Sequence, residues 1–135
     1  ALNQWIVGDG RKTLCNGRQV SCRFPGSISE VTLLTSDEND VRNYQNYDNW
    51  VNLSKKVKFT RTWGDCYGYY LVATGRADIM ADPIVSPWDI YGIVPIIEGS
   101  GAKISAWSSN CILSENSALA SHPAIHPAIV DCLNE

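Results

Sequence analysis

The sequence predicts an α/β fold, a layered sheet with flanking helices. Two observations carry that reading. Through the second half, short apolar or β-branched runs alternate with longer segments of helical spacing, the pattern of strands covered by helices. The helix ends are also marked. Ser86-Pro87 offers an N-cap with Pro in the first helical position, and Gly75 stands where a helix must close. With 135 residues, 44% of them hydrophobic, the chain can bury one core of its own but is too short for two domains.

The elements follow in chain order. Gln4 to Cys22 reads as short strands joined by tight turns at Gly8-Asp9-Gly10 and at Asn16-Gly17. The second turn suits a type I′ hairpin, whose two central residues need positive φ. Val31 to Thr35 is a buried strand. Ser36 and Asp37 offer N-caps for an amphipathic helix over about 38–55, with Val41, Tyr44, Tyr47, Trp50 and Val51 on its core face. Val57 to Thr60 is a strand, Cys66 to Thr74 an apolar helix, and Ala77 to Ala81 a strand. A helix then runs from Ser86-Pro87 to Gly99, with a kink or a loosened turn expected at Pro95. Ala102 to Ala106 is a strand, Leu119 to Ser121 a last edge strand, and Pro123 to Leu133 a terminal helix.

Composition excludes several classes. The formal net charge is -3, and the one basic cluster, Lys55, Lys56 and Lys58, reads as a solvated helix end. No basic stripe suited to nucleic acid is visible. No apolar run is long enough to span a membrane, and no signal peptide is evident. The five cysteines, Cys15, Cys22, Cys66, Cys111 and Cys132, are odd in number with no CxxC pair; they read as reduced, mostly buried thiols of a cytoplasmic protein. Ala1 leads straight into Trp5-Ile6-Val7, as expected of a piece cut from a longer polypeptide.

Chemistry concentrates between Arg61 and Gly101. Asp89 sits in the first turn of the helix begun at Ser86-Pro87, where a carboxylate can cap, be solvated or bind a cation. Mg²⁺ commonly takes one or two carboxylates and completes its shell with water and phosphate. Asp82 lies seven residues earlier, at the end of a strand, and strand ends beside helix starts are favoured sites in α/β proteins. Gly64-Asp65-Cys66 opens a helix whose free N–H groups can face a ligand, or is an ordinary turn with Asp65 as N-cap. His122 and His126 have zinc-ligand spacing but no third ligand, and read as a helix start and body at the surface. Gly8-Asp9-Gly10 lacks the Lys and Ser/Thr of a phosphate-binding loop. Cys66 reads as a packing residue at a helix start rather than a nucleophile.

The segment Pro87-Trp88-Asp89-Ile90, followed by Ile96-Ile97-Glu98-Gly99 and Gly101, resembles the C-terminal signature of the inositol monophosphatase superfamily. The wording from Gly64-Asp65-Cys66-Tyr67-Gly68-Tyr69 to Ala73-Thr74-Gly75-Arg76-Ala77-Asp78 resembles its histidinol-phosphatase branch. The resemblance implies the C-terminal part of that fold. It implies Asp89 as a metal ligand, Asp82 as a contact to the non-phosphate part of the substrate, and Gly64, Asp65 and Cys66 as a turn lining the substrate pocket. Two departures stand out: Tyr91-Gly92 where the family has two small residues, and Ser100-Gly101 where it has Gly-Gly. The family's upstream Glu-Glu pair and Asp-Pro-x-Asp-Gly-Thr motif, with its other metal ligands, are not in this sequence.

Residues 1–135 are therefore expected to be a single C-terminal domain or fragment, lacking an N-terminal metal-binding half. The intact enzyme is expected to be a Mg²⁺-dependent phosphomonoesterase of histidine biosynthesis acting on L-histidinol phosphate. The partners would be a small phosphomonoester, the missing half of the same polypeptide and, in one option, a second copy in a homodimer. An inositol-1-monophosphatase and a non-catalytic ligand- or partner-binding domain remain the alternatives.

Overall fold

The Asn16-Gly17 turn forms as its sequence requires. Both residues have positive φ, 48° and 79°, and they join β2 (Thr13–Cys15) to β3 (Arg18–Val20). With β1 (Ile6–Gly8) these strands make a three-stranded antiparallel sheet. The turn after β1 is held by Asp9, whose carboxylate accepts from the N–H groups of Arg11 and Lys12 at 2.9 Å each. Those donors hold the Asp9 pKa below the usual carboxylate value. The computed structural model describes residues 3–135, so Ala1 lies outside the described residues.

A second, five-stranded sheet contains β4 (Thr32–Thr35), β5 (Phe59–Thr62), β6 (Ile79–Asp82), β7 (Lys103–Ser105) and β8 (Ala118–Ser121). Its order is β5-β4-β6-β8-β7. β4 runs parallel to both β5 and β6, and β8 runs antiparallel to β6 and β7. Successive side chains of a strand point to opposite faces, and here they feed two cores. Leu33, Ile79, Ala81 and Leu119 pack with α1 (Glu38–Tyr44), α2 (Tyr47–Lys56) and α6 (His126–Asn134) through Val41, Trp50, Leu53, Ile129 and Leu133. Leu34, Met80, Ala118 and Ala120 pack with α3 (Asp65–Ala73), α4 (Pro87–Ile90) and α5 (Val94–Gly99) through Tyr69, Val72, Ile90 and Ile97.

The structure corrects several boundaries. The helix expected over 38–55 is two helices. Gln45 is extended, with its side-chain amide donating to the Pro83 carbonyl at 2.7 Å, and Asn46 caps α2 by accepting from the Asn49 N–H. Its core face is narrower than expected, because Val41 and Trp50 are buried while Tyr44 is exposed. The helix expected from Ser86 to Gly99 is also two. The chain loosens into a turn over 91–93, and Pro95 lies in the first turn of α5, where a missing N–H costs no helical bond. The strand expected at Val57 begins two residues later, at Phe59, because Val57 still bonds back to the carbonyl of Leu53 at the end of α2. β8 is not an edge strand: it pairs on both sides and all four of its residues are buried. The cysteines are not mostly buried either. Cys66 and Cys111 are exposed, the other three are half-buried, and all five are free thiols.

The small sheet docks on α5 at two glycines. A Cβ on Gly8 would lie 2.6 Å from the Ile96 Cα, and one on Gly99 would lie 2.6 Å from the Lys12 carbonyl. Thr13 Oγ1 donates across the same seam to the Ile96 carbonyl at 2.6 Å. A second tie joins Arg23 to the buried carboxylate of Asp78. Nε and one Nη donate to its two oxygens at 2.6 Å each, and the Thr32 N–H donates to Oδ2 at 2.7 Å. Paired, charge-assisted bonds of this kind are the stronger class.

His126 is fully buried, which overturns its reading as a surface residue. Nε2 is 2.9 Å from Ser105 Oγ and Nδ1 is 2.8 Å from Ser121 Oγ, so both ring nitrogens are satisfied by hydroxyls that can rotate to suit a neutral imidazole. Burial, with a smaller push from the Lys103 charge, lowers its pKa from 6.5 to about 4. Between those values the unfolded chain binds a proton that the folded chain refuses. The stabilising contribution is therefore complete above pH 6.5 and is lost as pH falls toward 4. Urea-unfolding midpoints measured across this range should drop by an amount on the order of a few kcal/mol in stability. His126→Gln should flatten that part of the profile.

Candidate functional site

Three loops meet at the C-terminal ends of the parallel strands. The chain leaving β4 supplies Ser36 and Asp40, the chain leaving β5 supplies Asp65 and Cys66, and β6 ends in Asp82 and continues to Ile84, Val85 and Asp89. With Tyr69, Ile90 and Ile93 these residues line one cleft of about 490 Å³. Carboxyl ends of parallel strands are where open α/β sheets gather ligand-facing residues, because the loops there diverge to opposite faces. The structure thus brings Asp65, Cys66, Asp82 and Asp89 together in a single cleft. Gly64 is the N-cap of α3, just outside the lining, with open space where a Cβ would stand.

The side chains differ sharply in environment. Asp89 and Asp65 are exposed, whereas Asp82 is only 4% exposed. The Tyr69 hydroxyl donates to Asp82 Oδ2 at 2.7 Å, while Asp82 Oδ1 is buried without a partner. Burial pushes the Asp82 carboxyl up; the nearby donors of Ser36 and Tyr69 ease the charge, and the negative charge of Asp65 opposes it. Ser36 approaches without a hydrogen bond of good geometry to Oδ1. Burial and the adjacent Asp82 charge push the Tyr69 phenol well above its usual range, so it remains a donor.

Asp65 is not the N-cap; it is the first residue of α3 and has φ 56°, a left-handed conformation that Asp tolerates better than most side chains. No side chain caps α3, so its first N–H groups stay open beside the cleft. Beyond the shared wall of Cys66, Tyr69 and Ile93 lies a second, mostly apolar hollow of about 260 Å³, bounded by Trp5, Ile6, Tyr67, Tyr70 and Ile96.

Sequence reasoning missed Ser36, Asp40 and Tyr69. Ser36 was legible only as a cap, and Asp40 only as an acidic first-turn residue. Tyr69 read as part of an apolar helix, since nothing in its local spacing shows that its hydroxyl meets a carboxylate thirteen residues on. His122 and His126 are not brought to the cleft. Among the described residues no set of three His, Cys, Asp or Glu side chains converges to hold a metal ion. The carboxylates offer hard oxygen donors of the kind Mg²⁺ accepts, but they suit it as part of a shell rather than the whole. Among the described residues no helix is long and apolar enough to cross a membrane.

The fold is a layered α/β one, and the chain belongs to the inositol monophosphatase family, whose model matches residues 3–135. Its structure is similar to an inositol monophosphatase from Zymomonas mobilis, with a TM-score of 0.89 and 20% identity, over 98% of this chain and 53% of that one. In sequence it is 32% identical over 117 residues to the chloroplastic bifunctional phosphatase IMPL2 of Arabidopsis thaliana, covering 87% of this chain and 34% of that protein. A 41-residue stretch is 56% identical to a histidinol-phosphatase from Chlorobaculum parvum, covering 30% of this chain and 16% of that protein. The chain thus spans about half the length of the solved structure and about a third of the Arabidopsis protein.

Proposed function

We propose that this chain is the C-terminal half of a Mg²⁺-dependent phosphomonoesterase, and that the intact polypeptide hydrolyses L-histidinol phosphate to histidinol and phosphate. The observation that carries the proposal is that Asp65, Asp82 and Asp89 line one cleft at the ends of β4, β5 and β6. The likeness to histidinol-phosphatases supports the substrate, and the missing share of length supports an N-terminal half that completes the site.

In this reading Asp89, exposed at the cleft, is the residue that holds a metal ion, and its remaining ligands come from the other half. Bound metal ions in such enzymes activate water and neutralise charge on the phosphate and the leaving alkoxide. The chain's own work is binding and orientation. The uncapped start of α3 presents N–H groups, and Gly64 leaves room for close approach. Asp82 faces the leaving group. Its buried carboxylate suits an ammonium such as histidinol carries, and it can also accept from the hydroxyls of an inositol phosphate. An inositol-1-monophosphatase therefore remains the second reading, supported by the fold shared with the Zymomonas enzyme. A cytoplasmic location accords with the free thiols.

Three outcomes test the proposal. The isolated 135-residue chain should release phosphate from histidinol phosphate with Mg²⁺ only at background, since Asp89 alone cannot hold two ions ~3.5–4 Å apart. Turnover of ~1 s⁻¹ or more would overturn this. In the intact polypeptide, Asp89→Asn should abolish most activity while the melting temperature stays close to that of the parent. Retained rate and Mg²⁺ dependence would make Asp89 a helix-start residue and nothing more. Asp82→Asn should cut kcat/KM on histidinol phosphate by roughly 10- to 150-fold, the worth of a charge-assisted contact of ~1.5–3 kcal/mol, and cut it much less on glycerol phosphate or inositol 1-phosphate. Equal losses would assign Asp82 to the fold or the metal site, and a greater loss on the inositol ester would favour the second reading.

A further inference from the structure

Asp82 is held in an unequal way. One oxygen, Oδ2, accepts from the Tyr69 hydroxyl at 2.7 Å; the other, Oδ1, is buried and has no partner. A carboxylate with roughly four acceptor sites normally fills them, and a buried polar atom left without a partner calls for an explanation. The residue also lines the cleft, with Oδ1 beneath the surface and Ser36 close by, so the bond from Tyr69 governs how the carboxylate meets whatever enters.

The arrangement is built into the packing rather than chosen by a flexible side chain. Tyr69 is only 2% exposed and sits in the core between the sheet and α3. Its neighbour Gly68 leaves room for the Met80 side chain of β6 against α3: a Cβ there would collide with the Met80 sulfur. The packing of α3 beside β6 sets the phenol against the end of the same strand, where Asp82 stands. An ordered ring with two torsions, locked by burial, fixes a partner far better than a surface side chain could.

We infer that Tyr69 is a positioning and specificity-determining residue: by donating to Oδ2 it fixes the orientation in which the Asp82 carboxylate meets a donor-rich, cationic leaving group, a primary ammonium in particular. The inference rests on the reading of Asp82 as the leaving-group contact and adds to it the residue that sets the carboxylate's orientation. Without the phenol, the carboxylate can rotate or turn its free capacity toward Ser36, and the cationic group loses its aligned acceptor. A neutral alcohol ester depends less on that alignment, because a hydroxyl finds acceptors over a wide range of directions.

The test uses the intact polypeptide with Mg²⁺ and two substrates, L-histidinol phosphate and glycerol 2-phosphate, on the parent, Tyr69→Phe, Asp82→Asn and the double variant. Tyr69→Phe should lower the ratio of kcat/KM between the amine-bearing and neutral substrates by roughly 5- to 30-fold, with the loss lying mainly in KM for the amine. The double variant should have the same ratio as Asp82→Asn alone, because Tyr69 acts only through Asp82. An unaltered ratio in Tyr69→Phe, or equal losses on both substrates in kcat, would overturn the inference and leave Tyr69 a core residue. Should Tyr69→Phe fail to fold, the double variant, which removes the buried charge with its donor, decides: a ratio below that of Asp82→Asn sinks the idea. Selective loss in Asp82→Asn without one in Tyr69→Phe defeats only this inference, whereas no selective loss in Asp82→Asn defeats the underlying reading as well.

Discussion

β4 pairs in parallel on both of its sides, and the rest of the molecule is arranged around that pairing. A parallel neighbour cannot be reached by a hairpin, so each connection must cross a face of the sheet. The chain leaves β4 through α1 and α2 over one face to reach β5, then returns through α3 over the other face to reach β6. Both faces are thereby covered, which is why β6 is buried along its whole length. The same two crossings leave β4, β5 and β6 ending at one edge, and the cleft occupies that edge.

Two of the buried polar side chains, Asp78 and His126, have every polar atom paired. Asp78 has both oxygens engaged by Arg23 and a further bond from the Thr32 N–H, tying the segment after β3 to the start of β4. His126 lies between two serine hydroxyls contributed by β7 and β8. An unpaired polar atom in such surroundings costs about 1–3 kcal/mol. Among the described residues four buried side-chain oxygens have no partner, on Thr35, Ser54, Thr60 and Asp82; that of Asp82 alone belongs to a carboxylate, and Asp82 lines the cleft.

The cleft also gathers negative charge. Asp40, Asp65, Asp82 and Asp89 all line it, and no Lys or Arg side chain is among its lining residues. Burial is the main cause that pushes the Asp82 carboxyl up, and the negative charge of Asp65 adds a smaller push in the same direction. Such a site favours cations, whether a metal ion or an ammonium. The apolar hollow next to it shares Tyr69 and Cys66 as a wall, and Trp5 on its far side is half-exposed.

The layered α/β class, the Asn16-Gly17 turn, the start of α4 at Pro87 and the end of α3 before Gly75 were all legible in the sequence. Each is set by local physics: positive φ at both turn residues, a Pro without an N–H, a Gly free to turn left-handed. The quoted motif residues Asp65, Cys66, Asp82 and Asp89 were legible through a family resemblance, and the fold then put them in one cleft. Other features depended on groups distant in the chain. The helix breaks at Gln45 because its amide finds Pro83 on another loop. β8 lies inside the sheet because β6 and β7 both need a partner there. His126 is buried because two serines from different strands can satisfy its ring, and Tyr69 meets Asp82 because α3 packs beside β6. Local sequence carries backbone preference; which polar atoms meet across the core is decided only when the elements pack.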